Sequence, residues 1–133
     1  YASMMSTYFR NAVGALLVYD VTVPESFEGI ETWRTELMAV ASPKTEIALV
    51  GNKIDLRGRR VDRNKAERYA QQKGMLTCET SAKTGENVYQ TFLDLAERIH
   101  KNAQNDGSNN KDAFQLMNDD DMTQGDCGQQ CCG

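Results

Sequence analysis

Ile47-Ala48-Leu49-Val50-Gly51-Asn52-Lys53-Ile54-Asp55 decides the reading of the chain. Four apolar residues run through one glycine into Asn-Lys-x-Asp. Such a run predicts a buried parallel strand. Gly51 permits either a tight turn or the close approach of another group as the strand leaves the sheet. The polar residues then fall at the carboxyl end of the strand, where open α/β sheets bind ligands. Asp55 offers two acceptor oxygens in one plane. Guanine presents two parallel donors, N1–H and the exocyclic amine, and a carboxylate accepts both at once. Adenine has no exocyclic donor there and its N1 is an acceptor. Asn52-x-x-Asp55 therefore reads as a guanine selector, with a plain turn after a strand as the alternative.

Working outward, residues 12–21 are near-continuously apolar and predict a second buried strand. Pro24 opens a helix. Phe27, Ile30, Trp33, Leu37 and Val40 follow at helical spacing, which makes Trp33 a core residue. Ser42-Pro43 ends that helix. Beyond the central stretch, Arg57, Arg59 and Arg60 read as a solvated basic loop. Asp62 reads as a helix N-cap, with Val61 and Ala66 as a hydrophobic staple and Gly74 as the stop. Residues 75–80 predict a third strand, and 87–102 a last helix with Val88, Phe92, Leu95, Ala96 and Ile99 inward. Residues 1–11 suit a short helix with Met4, Met5, Tyr8 and Phe9 on one side. Alternating helices and strands imply an α/β fold, three parallel strands with flanking helices on both faces. A doubly wound sheet usually has about five or six strands, so one edge should be bare. With Tyr1 as the first residue, an N-terminal half is expected to be missing.

The 133 residues suit one domain and a tail. Residues 1–103 carry 14 Lys/Arg against 13 Asp/Glu, a net of +1. Residues 104–133 carry one Lys against six Asp, a net of −5, and their polar composition predicts disorder. Phe114, Leu116 and Met117 are a small apolar island in that tail. The near-neutral body shows no basic face for nucleic acid. No run reaches transmembrane length. Cys78 lies in an apolar run and reads as a buried small hydrophobe. Cys127, Cys131 and Cys132 crowd the end, which is no disulfide framework and suggests a reduced chain. His100 has no partner in sequence and reads as a surface residue.

Glu79-Thr80-Ser81-Ala82-Lys83 follows the third strand as Asn52–Asp55 follows the second, so both loops reach one rim. The Ala82 N–H would donate to guanine O6, and the stems of Lys53 and Lys83 would flank the ring. The alternative is that Ser81 and Thr84 cap the last helix. Taken together, the two loops and their spacing resemble the base-recognition half of a Ras-superfamily small GTPase. Tyr8-Phe9-Arg10-Asn11-Ala12 and Leu17-Val18-Tyr19-Asp20-Val21-Thr22 are similar to elements of Rab proteins, with departures at Phe9 and Asn11. The resemblance covers residues 1–103 and implies the C-terminal half of a P-loop NTPase domain. It also implies that Asn52, Lys53, Asp55, Ser81, Ala82 and Lys83 hold the guanine of GTP or GDP. Residues from Tyr1 would end the second switch region, and Asp20 would end a strand rather than bind magnesium. It implies effectors, an exchange factor, a GDP-dissociation inhibitor and a prenyltransferase escort as partners in vesicle traffic. The location it implies is the cytoplasmic face of an intracellular membrane, cycling with cytosol.

The 133 residues contain no Gly-x-x-x-x-Gly-Lys-Ser/Thr and no Asp-x-x-Gly. No phosphate cradle, magnesium ligand or catalytic residue is therefore expected in them, and the fragment is expected to be inactive alone. A Rossmann oxidoreductase is disfavoured by the lack of Gly-x-Gly-x-x-Gly. At the C-terminus, Gln130 occupies the position where a CaaX site needs cysteine. Paired Cys131 and Cys132 resemble the Rab site of double geranylgeranylation. Stable anchoring takes two signals, and an acidic tail cannot supply a polybasic one. A vicinal pair without a role remains the alternative, while three cysteines lacking a fourth ligand make a poor zinc site. The rival reading of the chain is a prenylated interaction module without tight nucleotide binding.

Overall fold

The computed structural model describes residues 2–105, and side chains from Ser6 onward. Tyr1, the tail island, Cys127, Cys131 and Cys132 lie outside the described residues, as do the side chains of Met4 and Met5. The elements are α1 (Ala2–Phe9), β1 (Gly14–Asp20), α2 (Pro24–Glu28), α3 (Ile30–Val40), β2 (Glu46–Asn52), α4 (Arg63–Lys73), β3 (Leu76–Glu79) and α5 (Val88–Asn105). The three strands form one parallel sheet in the order β1-β2-β3. Leu17 stands beside Leu49, and Gly51 beside Glu79.

The central strand is buried on both faces, and alternate residues feed two cores. Ile47 and Leu49 join Tyr19, Val21, Ile30, Leu37, Ala66 and Ala70 beneath α3 and α4. Ala48 and Val50 join Leu76 and Leu95 beneath α5, with Leu16 and Ile99 packed alongside. Cys78 is buried, as expected.

The expected helix after Pro24 is two helices. Gly29 separates α2 from α3, consistent with the low helix propensity of glycine. Phe27 thereby packs edge-on between Tyr19 and Tyr69. Ile30 and Leu37 are buried as the spacing requires, but Trp33 is 47% exposed. It borders a groove beside β1 with Phe9, Leu17 and Val18, so its core assignment is corrected. In α1, Phe9 packs toward the core while Tyr8 is exposed. In α5, Thr91 and Leu95 are buried but Phe92 is 57% exposed. His100 is exposed, as expected. The start and stop of α4 follow the sequence. Asp62 accepts from the Asn64 N–H at 3.0 Å, Val61 and Ala66 are both buried, and Gly74 caps the C-terminus at φ +68°.

Candidate base-recognition site at the carboxyl ends of β2 and β3

Because Gly51 pairs with Glu79, the chain leaves β2 and β3 at the same level of the sheet. Backbone bonds hold the two exits together: Thr80 N–H donates to Gly51 O at 2.8 Å and Ile54 N–H to Thr80 O at 3.2 Å. Gly51 stays within the strand, so close approach and not a turn explains it. A Cβ there would stand 2.7 Å from the Tyr19 hydroxyl oxygen and 3.0 Å from Val21 Cγ1. Burial pushes the Tyr19 phenol up to about 12, with further upward pressure from Glu79, so the ring stays neutral against this backbone.

The side chains then interlock. Asn52 Oδ1 accepts from Thr80 Oγ1 at 3.1 Å and from the Ala82 N–H at 3.0 Å. Ser81, wholly buried, donates its hydroxyl to Asp55 Oδ1 at 2.7 Å and accepts from the Thr84 N–H at 3.1 Å. Four of the six expected residues, Asn52, Asp55, Ser81 and Ala82, are thus joined by direct hydrogen bonds. Each carboxylate oxygen has two lone pairs, and Ser81 occupies one of the four. The Asp55 carboxylate is therefore oriented yet still open to two donors. The Ala82 N–H, expected to serve guanine O6, is directed to Asn52 Oδ1 in this structure.

The two lysines behave differently. Lys53 sits in the left-handed region at φ +70°, uncommon for a non-glycine residue and typical of functional turns. Its Nζ reaches Asp20 Oδ2 at 2.9 Å. Asp20 ends β1 and is held by the Thr22 N–H at 2.8 Å and the Thr22 hydroxyl at 2.6 Å. The Thr22 hydroxyl, then Lys53, lower the Asp20 carboxyl to about 2. Lys53 is thus laid along the rim with its charge matched. Lys83 is exposed in the turn that follows Ala82.

Sequence reasoning missed the parts that hold these groups. Thr80 and Thr22 act through short hydroxyls that carry no periodic signal. Arg59, read as solvated, pairs through both terminal nitrogens with the Glu79 carboxylate at 2.6 and 2.8 Å. Asn87, at φ +61°, donates its side-chain amide to Glu79 O at 2.9 Å. These partners are 20 and 8 residues apart, and only the fold brings them together. Among the described residues no group of three or more His, Cys, Asp or Glu side chains is arranged to hold a metal ion.

The sequence model of the Ras family matches residues 1–101. The chain is 41% identical over 102 residues to Ras-related protein RABA6b of Arabidopsis thaliana, which covers 76% of this chain and 44% of that protein. It has the same identity over the same length to Ras-related protein Rab-5A of Dictyostelium discoideum, covering 51% of it. Ras-related protein RABA6a of Arabidopsis thaliana also matches at 41%, with 44% of it covered. The chain spans about half the length of the curated relatives it matches.

Proposed function

The chain belongs to the Ras family, and from that premise we propose that the rim built by Asn52–Asp55 and Thr80–Lys83 recognises guanine in a Rab-type small GTPase. The observation that carries this reading is the pair of bonds across the rim, Ser81 to Asp55 and Ala82 to Asn52. They preorganise a planar acceptor pair beside small residues, which a flat base with two parallel donors would complete. Asp55 is the selector, Asn52 ties the two loops together, and Lys53 and Lys83 flank the ring.

In the whole protein this rim would serve GTP and GDP, with magnesium, in a nucleotide switch acting in vesicle-mediated membrane traffic. GTP hydrolysis would rest on phosphate-binding and catalytic groups that these 133 residues do not contain. Cys131 and Cys132 would carry two geranylgeranyl groups. They would place the protein on the cytoplasmic face of an intracellular membrane, with the effectors, exchange factor, GDP-dissociation inhibitor and prenyltransferase escort of the family as partners. Replacing both cysteines with Ser should release the protein from membranes, and unchanged membrane association would overturn that assignment.

The base reading is tested by titrating the chain with guanosine, adenosine and xanthosine while following the Ala82 and Asp55 amides by NMR. Guanosine should shift them at millimolar concentration and adenosine should not. Asp55→Asn offers a donor where xanthine carries its C2 carbonyl, so it should move the preference to xanthosine. Equal response to adenosine would overturn the assignment. Nanomolar, magnesium-dependent GDP binding by these residues would instead favour a complete nucleotide site. The second reading, a prenylated interaction module without tight nucleotide binding, is favoured by the lack of any phosphate-loop motif in the 133 residues. It predicts no response to any nucleoside.

A further inference from the structure

We propose that Arg59 is a positioning residue for base recognition: its fork on Glu79 sets where Ser81 and Ala82 stand relative to Asn52 and Asp55. The proposal rests on the guanine reading of the rim. The connections form a closed circuit. From Asp55 the chain passes through Leu56, Arg57 and Gly58 to Arg59. Arg60 N–H and Val61 N–H both donate to Val21 O, at 2.8 and 3.0 Å, which pins this loop to the exit of β1. Arg59 Nη1 also donates to Val61 O at 3.2 Å, so the guanidinium is braced on its own loop. From there it reaches the last residue of β3, Glu79, occupying both carboxylate oxygens at 2.6 and 2.8 Å. Two residues later Ser81 closes the circuit on Asp55 at 2.7 Å.

The fork matters because of its geometry and not its charge alone. An exposed ion pair with one contact is held loosely. Two parallel N–H···O bonds fix distance and plane together, which a lysine ammonium cannot do. The Glu79 side chain is well covered, at 14% exposed, and its carbonyl is independently held by Asn87. The end of β3 is thereby held from two sides immediately before the loop that carries the base contacts. The neighbouring Glu79 carboxylate also raises the Arg59 guanidinium, which favours its charged form.

The test uses the full chain with Arg59→Lys, Glu79→Gln and the exchange Arg59→Glu with Glu79→Arg. Amide exchange is measured at Ala82 and Thr84, the donors to Asn52 and Ser81, with β2 amides as internal reference. Guanosine-over-adenosine preference is measured beside it. Arg59→Lys should leave the melting temperature nearly unchanged but speed exchange at Ala82 and Thr84 about tenfold relative to β2, as local opening without global unfolding requires. It should also lower the guanosine preference, and the charge exchange should restore both. Unchanged Ala82 and Thr84 exchange in Arg59→Lys and Glu79→Gln would overturn the proposal. So would a fall in melting temperature that loosens β2 equally, since that marks a merely structural pair. If the unaltered chain ignores guanosine, the guanine reading fails on its own, while the exchange measurement still decides whether Arg59 positions the loop.

Discussion

Gly51 and Tyr19 occupy one space. The Tyr19 hydroxyl lies where a side chain on Gly51 would begin, with Tyr19 Cζ at 2.9 Å and Val21 Cγ1 at 3.0 Å from that point. Both neighbours belong to the packed core and cannot yield freely. Gly51→Ala should therefore destabilise the chain by about 1–3 kcal/mol, as overpacking does. Denaturant unfolding measures it. Tyr19→Phe removes the nearest atom, so the double variant should lose less than the two single losses combined. Strict additivity would mean the ring is not what excludes the side chain. Asp20 gives the second prediction. Its folded carboxyl is lowered from 3.8 to about 2 by the Thr22 hydroxyl and then by Lys53. A depressed acid contributes stability that is fully present above the unfolded value and is lost as pH falls through the folded one. The stability difference between the unaltered chain and Asp20→Asn should thus be flat above about pH 5, shrink progressively below about pH 4 and vanish only well below about pH 2. A difference that persists undiminished well below about pH 2 would show that shape and not charge is at stake. At this scale the sequence announced the polar groups that the fold gathers on one rim, because Asn52–Asp55 and Ser81–Ala82 each follow a strand directly. The partners that aim them, Thr80, Thr22 and Arg59, were silent until the fold brought them near.

Helices show where periodicity suffices and where it fails. Helix α4 was legible at both ends because its signals are local: an Asp62 side chain capping Asn64, and Gly74 in the left-handed region. Asp62→Ala should cost about 1 kcal/mol, the usual loss of an N-cap. It should appear in denaturant unfolding as a lower midpoint with unchanged slope. A variant as stable as the original would mean that the Val61–Ala66 staple alone sets the helix start. Periodicity placed Ile30, Leu37 and Leu95 correctly, yet it also assigned Trp33 and Phe92 to the core. Both are exposed because a helical stripe says which side is apolar but not whether a second layer covers it. Thr91, not Phe92, reaches the interior of α5, with its hydroxyl bonded to Asn87 O at 2.7 Å.

Those exposed residues have a common cause at the scale of the whole molecule. β1 is an edge strand among the described residues, and Val18, near its carboxyl end, is 54% exposed. Val18 shares a face with Leu16, which packs with Leu95 and Ile99. Phe92 lies one helical turn before Leu95 and Tyr89 before that, both exposed. The sheet therefore presents unpaired backbone groups along one side and an apolar surface beside them. An edge of this kind is a template for another chain. The sequence anticipated the bare edge from three strands, since alternation counts elements well. It did not anticipate which side chains would be left uncovered, because that depends on the width of the sheet. The chain should self-associate in the micromolar range, where exposed edges and apolar surface become adhesive. Val18→Lys places a charge on the edge without disturbing a buried contact. It should raise the concentration of half-association about tenfold or more, corresponding to at least about 1.4 kcal/mol. Sedimentation across a concentration series reads this directly. Association that is unchanged in Val18→Lys but lost in Trp33→Lys would move the contact to the α3 side of β1, where Trp33 borders the groove with Phe9 and Leu17. A chain that stays monomeric throughout would mean that the edge is protected within the chain itself.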